Sequence, residues 1–182
     1  VTKALIVIDI QESFRQRENW ARVSTPDIAA RGARLVDIAR AAGDLVVWVL
    51  HTEPGTGNPF DPASGHVRLM DGLVPAAGEP VLAKTSRNAF TTTNLQQILT
   101  EKGIRELVVC GIQTEQCCET TARVAADLGF DVTYVTEATA TFPIAHRSGV
   151  GELGVEDIIE RTEYALSGRF ATISTIAELA VG

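Results

Sequence analysis

Three cysteines in 182 residues, two of them adjacent, are too few and too poorly spaced for a disulfide framework. Their scarcity points to a reducing cytoplasm. No C-x-x-C spacing occurs, and a vicinal pair forms only a strained disulfide, so a dithiol redox role has little to rest on. No apolar run approaches the roughly 18–20 residues of a membrane span, so no membrane partner is expected. The opening Val1–Asp9 stretch is too short for a signal segment with a cleavage site and reads as a strand. Acidic and basic side chains are interspersed around a net charge of −7. Without a basic stripe, nucleic acid is not an expected partner. No G-x-G-x-x-G follows the first strand, which argues against a dinucleotide site. Repeats, low-complexity tracts and linkers are also missing. With 45% hydrophobic residues the chain suffices for one core, and a single domain over residues 1–182 is expected.

What remains is an alternation of short apolar runs and longer amphipathic stretches, which predicts a parallel α/β sheet. Strands are read at Leu5–Ile8, Leu45–Leu50, Val81–Ala83, Leu107–Cys110, Val132–Val135 and Phe170–Ile173. Ser24-Thr25-Pro26-Asp27 offers a cap and a first-turn proline for a helix stopping near Gly43. Thr91-Thr92-Thr93-Asn94 offers caps for a second helix closed by Gly103. Residues 146–159 are read as largely helical, and Thr175–Ala180 as a terminal helix. Between His51 and Gly78 the pattern breaks into a long Pro- and Gly-rich loop, of a length that is often functional in compact domains.

In open parallel sheets, sites form beyond the carboxyl ends of the strands. Strand one leads to Asp9, strand two to His51, strand three to Lys84, and strand four through Gly111 to Cys117. Cys117 is placed in the first turn of a helix, where free N–H groups and the dipole favour a thiolate. A thiolate there suits nucleophilic attack on a carbonyl or nitrile carbon. The competing reading is a small buried hydrophobe, a common fate of free cysteine. Asp9, flanked by apolar residues, is expected to have a raised pKa suited to proton exchange, or else to cap the next segment. Lys84 has the reach to favour both anions, or else is a solvated surface lysine. Backbone N–H groups around Gln113 and Cys117 offer an oxyanion hole, and Gly111 permits the turn.

Asp9 in IVIDIQESF, Lys84 in VLAKTSRNAF and Cys117 in VVCGIQTEQCCETTARVAADLGF together resemble the isochorismatase-like cysteine hydrolases. The resemblance runs from about residue 3 to residue 180, and Gly111, Thr114 and Cys117 form its most specific part. It implies a three-layer α/β/α fold around a six-stranded parallel sheet, an Asp9-Lys84-Cys117 triad and a cis peptide before Gln113. It places the nucleophile at Cys117 and leaves Cys118 as an apolar packing residue. It also implies assembly into a homodimer or larger homo-oligomer.

One departure from the family matters. Nicotinamidase-like relatives bind a metal through an Asp-x-His pair after strand two, and here that run is Val49-Leu50-His51. The carboxylate is missing, and His51 with His66 does not make a zinc site. No metal and no cofactor are therefore expected. Pocket walls are assigned to Phe14, Trp20, Phe60, Asn88 and Phe90, with His51 and Thr114 as polar contacts, although each also suits plain packing. His146 is a rival base, with capping or a surface role as its alternative. The resulting expectation is a small-molecule amide hydrolase working through a thioester. A vinyl ether hydrolase and a non-catalytic binding domain on the same scaffold are the alternatives.

Overall fold

The computed structural model describes residues 3–181, so Val1, Thr2 and Gly182 of the expected domain lie outside the described residues. Six strands form one parallel sheet: β1 (Lys3–Ile8), β2 (Leu45–His51), β3 (Val81–Lys84), β4 (Glu106–Ile112), β5 (Asp131–Ala140) and the short β8 (Thr172–Ile173). Their order is β3-β2-β1-β4-β5-β8. The chain therefore winds outward from β1 in one direction and then from β4 in the other, and the order reverses between those two strands. Side chains on β1 alternate between faces, as a two-residue period requires. Leu5 and Val7 join one buried cluster, while Ala4, Ile6 and Ile8 join the other. Burying a Val, Leu or Ile fully stabilises by about 1.5–3 kcal/mol. A strand covered on both faces accordingly reads as an unbroken apolar run.

Helix α2 (Ile28–Ala42) covers the first face through Ile28, Leu35, Val36 and Ala39, with α6 (Ile176–Leu179) beside it. Helices α3 (Leu95–Glu101), α4 (Glu119–Asp127) and α5 (Val155–Leu166) cover the other, giving three layers. Among the described residues no helix is long and apolar enough to cross a membrane.

Two local expectations need correction. The cap expected before α2 does not form. Asp27 accepts from Arg31 instead of from the backbone, and Thr25 donates to the Thr139 carbonyl in β5. Pro26 lies two residues ahead of the helix. The expected helix over 146–159 is, in its first half, an antiparallel hairpin of β6 (Ile144–Ala145) and β7 (Glu152–Leu153). Gly149 and Gly151 take positive φ in its turn, and glycine is a poor helix former. The helix starts only after Gly154, with Glu156 and Asp157 in the first turn favoured by its dipole.

Candidate active site

The reversal of strand order brings the ends of β1 and β4 side by side, with Ile8 paired to Gly111. Just past β1, Asp9 adopts φ 53°, the only positive φ outside glycine among the described residues. Asp tolerates this left-handed region better than most side chains. Its N–H is held by the Val49 carbonyl at 2.9 Å, which ties the turn to β2. Gly111 has φ 137°, and a Cβ there would stand 1.9 Å from the Ile8 carbonyl oxygen. Only glycine lets β4 pass this close to β1.

The Ile112–Gln113 peptide is cis, and a wide π-type turn over Thr114–Cys118 then leads into α4. The Gln113 carbonyl accepts from the N–H groups of Gln116 and Cys118, both at 3.2 Å, and passes over Cys117. Beneath the turn, the Tyr134 hydroxyl donates to the Thr114 carbonyl at 2.6 Å. The Thr114 and Thr139 hydroxyls lie 2.7 Å apart. A register shift between β4 and β5 places Thr139 opposite Gly111 and so under this turn.

Lys84 ends β3 and is fully buried. Its ammonium lies 3.1 Å from His51 Nδ1, 3.1 Å from the Ser86 carbonyl and 3.3 Å from Cys117 Sγ. Those three partners use all three N–H groups. Asp9 Oδ2 is closer still, at 2.9 Å, but lies off the hydrogen-bond angle. The Asp9–Lys84 contact is thus chiefly electrostatic, and the Cys117 thiol also stands within hydrogen-bonding reach of Asp9. Burial raises the Asp9 carboxyl above its usual range, outweighing Lys84. Burial, reinforced by the Asp9 charge, pushes the Cys117 thiol up to about 12 in spite of Lys84. The expectation of a resting thiolate is therefore corrected. A helix start favours the anion by about 1 kcal/mol or less, and the burial of Cys117 exceeds that.

His51 faces Lys84 and also lines the cavity above Cys117. Because an ammonium only donates, Nδ1 accepts and the ring proton sits on Nε2, 3.1 Å from Glu53 Oε1. Burial first, then Lys84, lower this imidazole below its ordinary range. Gln11 fixes the His51 backbone by accepting from its N–H at 2.7 Å and donating to its carbonyl at 3.0 Å. A metal does not fit here. One ring nitrogen is occupied by an ammonium, and His66 meets Ser13 and Ser64 through its backbone.

A cavity of about 60 Å³ opens above Cys117 and Asp9, walled by Phe14, Phe60, Gln113 and Gln116. Lys84 lies sealed beneath it. Four expected pocket residues are elsewhere. Phe90 packs in the core, its ring 6.0 Å from Phe130. Asn88 Oδ1 accepts from the Phe90 and Thr91 N–H groups and so shapes its own loop. Thr114 is spent on Tyr134 and Thr139. Trp20 packs half-buried against Phe142, and His146 is exposed in the hairpin beside Ser148. Sequence reasoning missed Arg17, Glu53 and Arg87, which also line the cavity. Arg17 was legible only as the residue one helical turn after Phe14. A larger cavity of about 120 Å³, lined by Leu5, Leu35 and Leu179 near the start of β1, has no cysteine in its lining.

Known proteins resemble this chain in sequence and in fold. Residues 3–153 match the model of the isochorismatase domain. The chain is 32% identical to an uncharacterized isochorismatase family protein of Bacillus subtilis, over 96% of this chain and 97% of that protein. It is 36% identical to streptothricin hydrolase of Streptomyces noursei, over 82% of this chain and 59% of that protein. A crystal structure described as a putative hydrolase of the isochorismatase family from Chromobacterium violaceum superposes with a TM-score of 0.91. That match is 25% identical and covers 99% of this chain and 92% of the other. The chain is also 26% identical to the ureidoacrylate amidohydrolase RutB of an Enterobacter species, over 96% of this chain and 86% of that protein. The chain belongs to the isochorismatase family.

Proposed function

We propose that the protein hydrolyses an amide or related C–N bond of a small molecule through a thioester on Cys117. The observation that carries this reading is Lys84 Nζ standing between Asp9 Oδ2 and Cys117 Sγ, 2.9 and 3.3 Å away, beneath an open cavity. At rest the sulfur keeps its proton, within hydrogen-bonding reach of Asp9. As the substrate carbonyl enters, Cys117 passes its proton to Asp9 while sulfur bonds to the carbonyl carbon. The N–H groups of Gln113 and Cys117 take the developing oxyanion. Asp9 then gives the proton to the departing nitrogen, and the C–N bond breaks. Water, giving its proton to Asp9, adds to the thioester. Asp9 returns that proton to sulfur as the acid leaves. Lys84 opposes the effect of burial on Asp9 and favours its ionised form between these steps. All three cysteines are free, which suits a reducing compartment.

The test is a panel of amides, ureas, nitriles and a vinyl ether assayed with the wild type and with C117A. Turnover of an amide or urea that C117A abolishes supports the reading. Turnover confined to the vinyl ether, or surviving in C117A, removes it.

A further inference from the structure

Two guanidinium groups line the mouth of the Cys117 cavity, Arg17 beyond α1 (Glu12–Arg15) and Arg87 in the loop after β3. Neither makes an ion pair or donates a side-chain hydrogen bond among the described residues. Arg22, Arg40 and Arg161 are paired with Glu152, Glu79 and Glu119, while other arginines such as Arg34 and Arg169 are unpaired among the described residues, so what marks Arg17 and Arg87 is their place at the Cys117 cavity. Arg17 is nevertheless held in place, its guanidinium carbon 4.4 Å from the Phe60 ring centroid and 5.8 Å from that of Phe14. Stacking on aromatic faces fixes the plane of the fork while leaving its edge N–H groups free. Burial first, and Arg87 after it, lower the Arg17 guanidinium below its ordinary range against the pull of Glu53, so the two cations share one region with that carboxylate.

The carboxylates facing the same cavity are already committed. Glu53 accepts from Asn58 Nδ2 and faces His51 Nε2, and Asp9 faces Lys84. Two carboxylates thus meet three cations, leaving one positive charge in a chain whose net charge is −7. Small neutral amides give no use to a preformed fork of this kind. Carboxylates do, because a planar two-oxygen anion matches guanidinium geometry and such charge-assisted bonds are about twice as strong as neutral ones.

We propose that Arg17 and Arg87 form a carboxylate subsite, and that the substrate is a small carboxamide bearing a second, ionised carboxylate away from the scissile carbon. This rests on the hydrolase reading above. The anion is held at the mouth, the amide carbon reaches Cys117, and the reaction consumes water and releases a dicarboxylate and an amine or ammonia. With an excess of one positive charge the subsite is matched to a monoanion, and a phosphate dianion is less well matched.

Succinamate and succinamide test this, since they differ chiefly by an anionic oxygen in place of an amide NH2. The wild type is expected to favour succinamate by about tenfold or more in kcat/KM. In R17Q/R87Q that ratio falls to about twofold or less, and R17K/R87K keeps an intermediate ratio. An equal ratio in the wild type, or one unchanged in R17Q/R87Q, overturns the subsite. A binding readout separates this from failure of the hydrolase reading. Protection of Cys117 from alkylation at about pH 9 is measured by mass spectrometry with succinate, succinamide or inorganic phosphate present. Better protection by succinate, lost in R17Q/R87Q, supports the subsite even when neither amide is hydrolysed. Equal protection by succinate and succinamide overturns it, and better protection by phosphate overturns the assignment to carboxylate.

Discussion

Lys84 and His51 meet at 3.1 Å, the ammonium donating and the ring Nδ1 accepting. A second proton on His51 would set an N–H against that ammonium in a buried setting, with Asp9 and Glu53 opposing the effect. The imidazole is held below its ordinary 6.5 in the fold, so on acidification the unfolded chain takes up the proton first. The stability this site contributes is therefore complete above about pH 6.5 and declines below it. Melting temperatures at about pH 7.5 and 5.5 for the wild type and H51Q check this. The drop is expected to be smaller in H51Q, and equal drops would take His51 out of the account.

Asp9 and Lys84 are both fully buried, so removing one leaves the other as a lone interior charge. D9N and K84M are each expected to lose about 3–5 kcal/mol in denaturant unfolding and to lose activity. The double variant D9N/K84M should be more stable than the sum of the two losses allows, since no isolated charge remains. Strictly additive losses would show that the two groups are not paired.

At Gly111 the obstacle is backbone, not a side chain that could rotate away, because the clash is with the Ile8 carbonyl. G111A should cost about 3 kcal/mol or more, or prevent folding. Its proof is a thermal melt beside that of G43A. Gly43 also has positive φ but meets nothing within 4 Å, so its cost should be lower. Similar losses in the two variants would contradict the close passage of β4 beside β1.

Tyr134 reaches from β5 to hold the Thr114 carbonyl ahead of the nucleophile. Y134F leaves that buried carbonyl without its donor, at about 1–3 kcal/mol. Because the turn carries the sulfur, kcat should fall more than KM rises. A stability loss with unchanged kcat would restrict Tyr134 to packing.

The sheet was legible because strands covered on both faces must be apolar throughout, and Leu5–Ile8 and Leu45–Leu50 read that way. Asp9, Lys84 and Cys117 were legible because parallel strands deliver their following residues to one edge. The ionisation of Cys117 was not, since it depends on how deeply the sulfur sits and on a neighbouring carboxylate, and neither is written locally. The hairpin at 144–153 was hidden by apolar residues spaced compatibly with a helix, although Gly149, Gly151 and Gly154 opposed it. Phe90 and Asn88 lie close to Lys84 in sequence, yet one turns into the core and the other folds its loop. Arg17, Glu53 and Arg87 come together only through tertiary folding, and no periodicity marks them.

The most direct measurement is the mass of the enzyme quenched in acid during turnover of an amide substrate, followed by peptide mapping. The account predicts an added acyl group on the peptide carrying Cys117, removed by hydroxylamine and missing from C117A. Steady turnover with no adduct under any quench, or an acyl group on another residue, would contradict it.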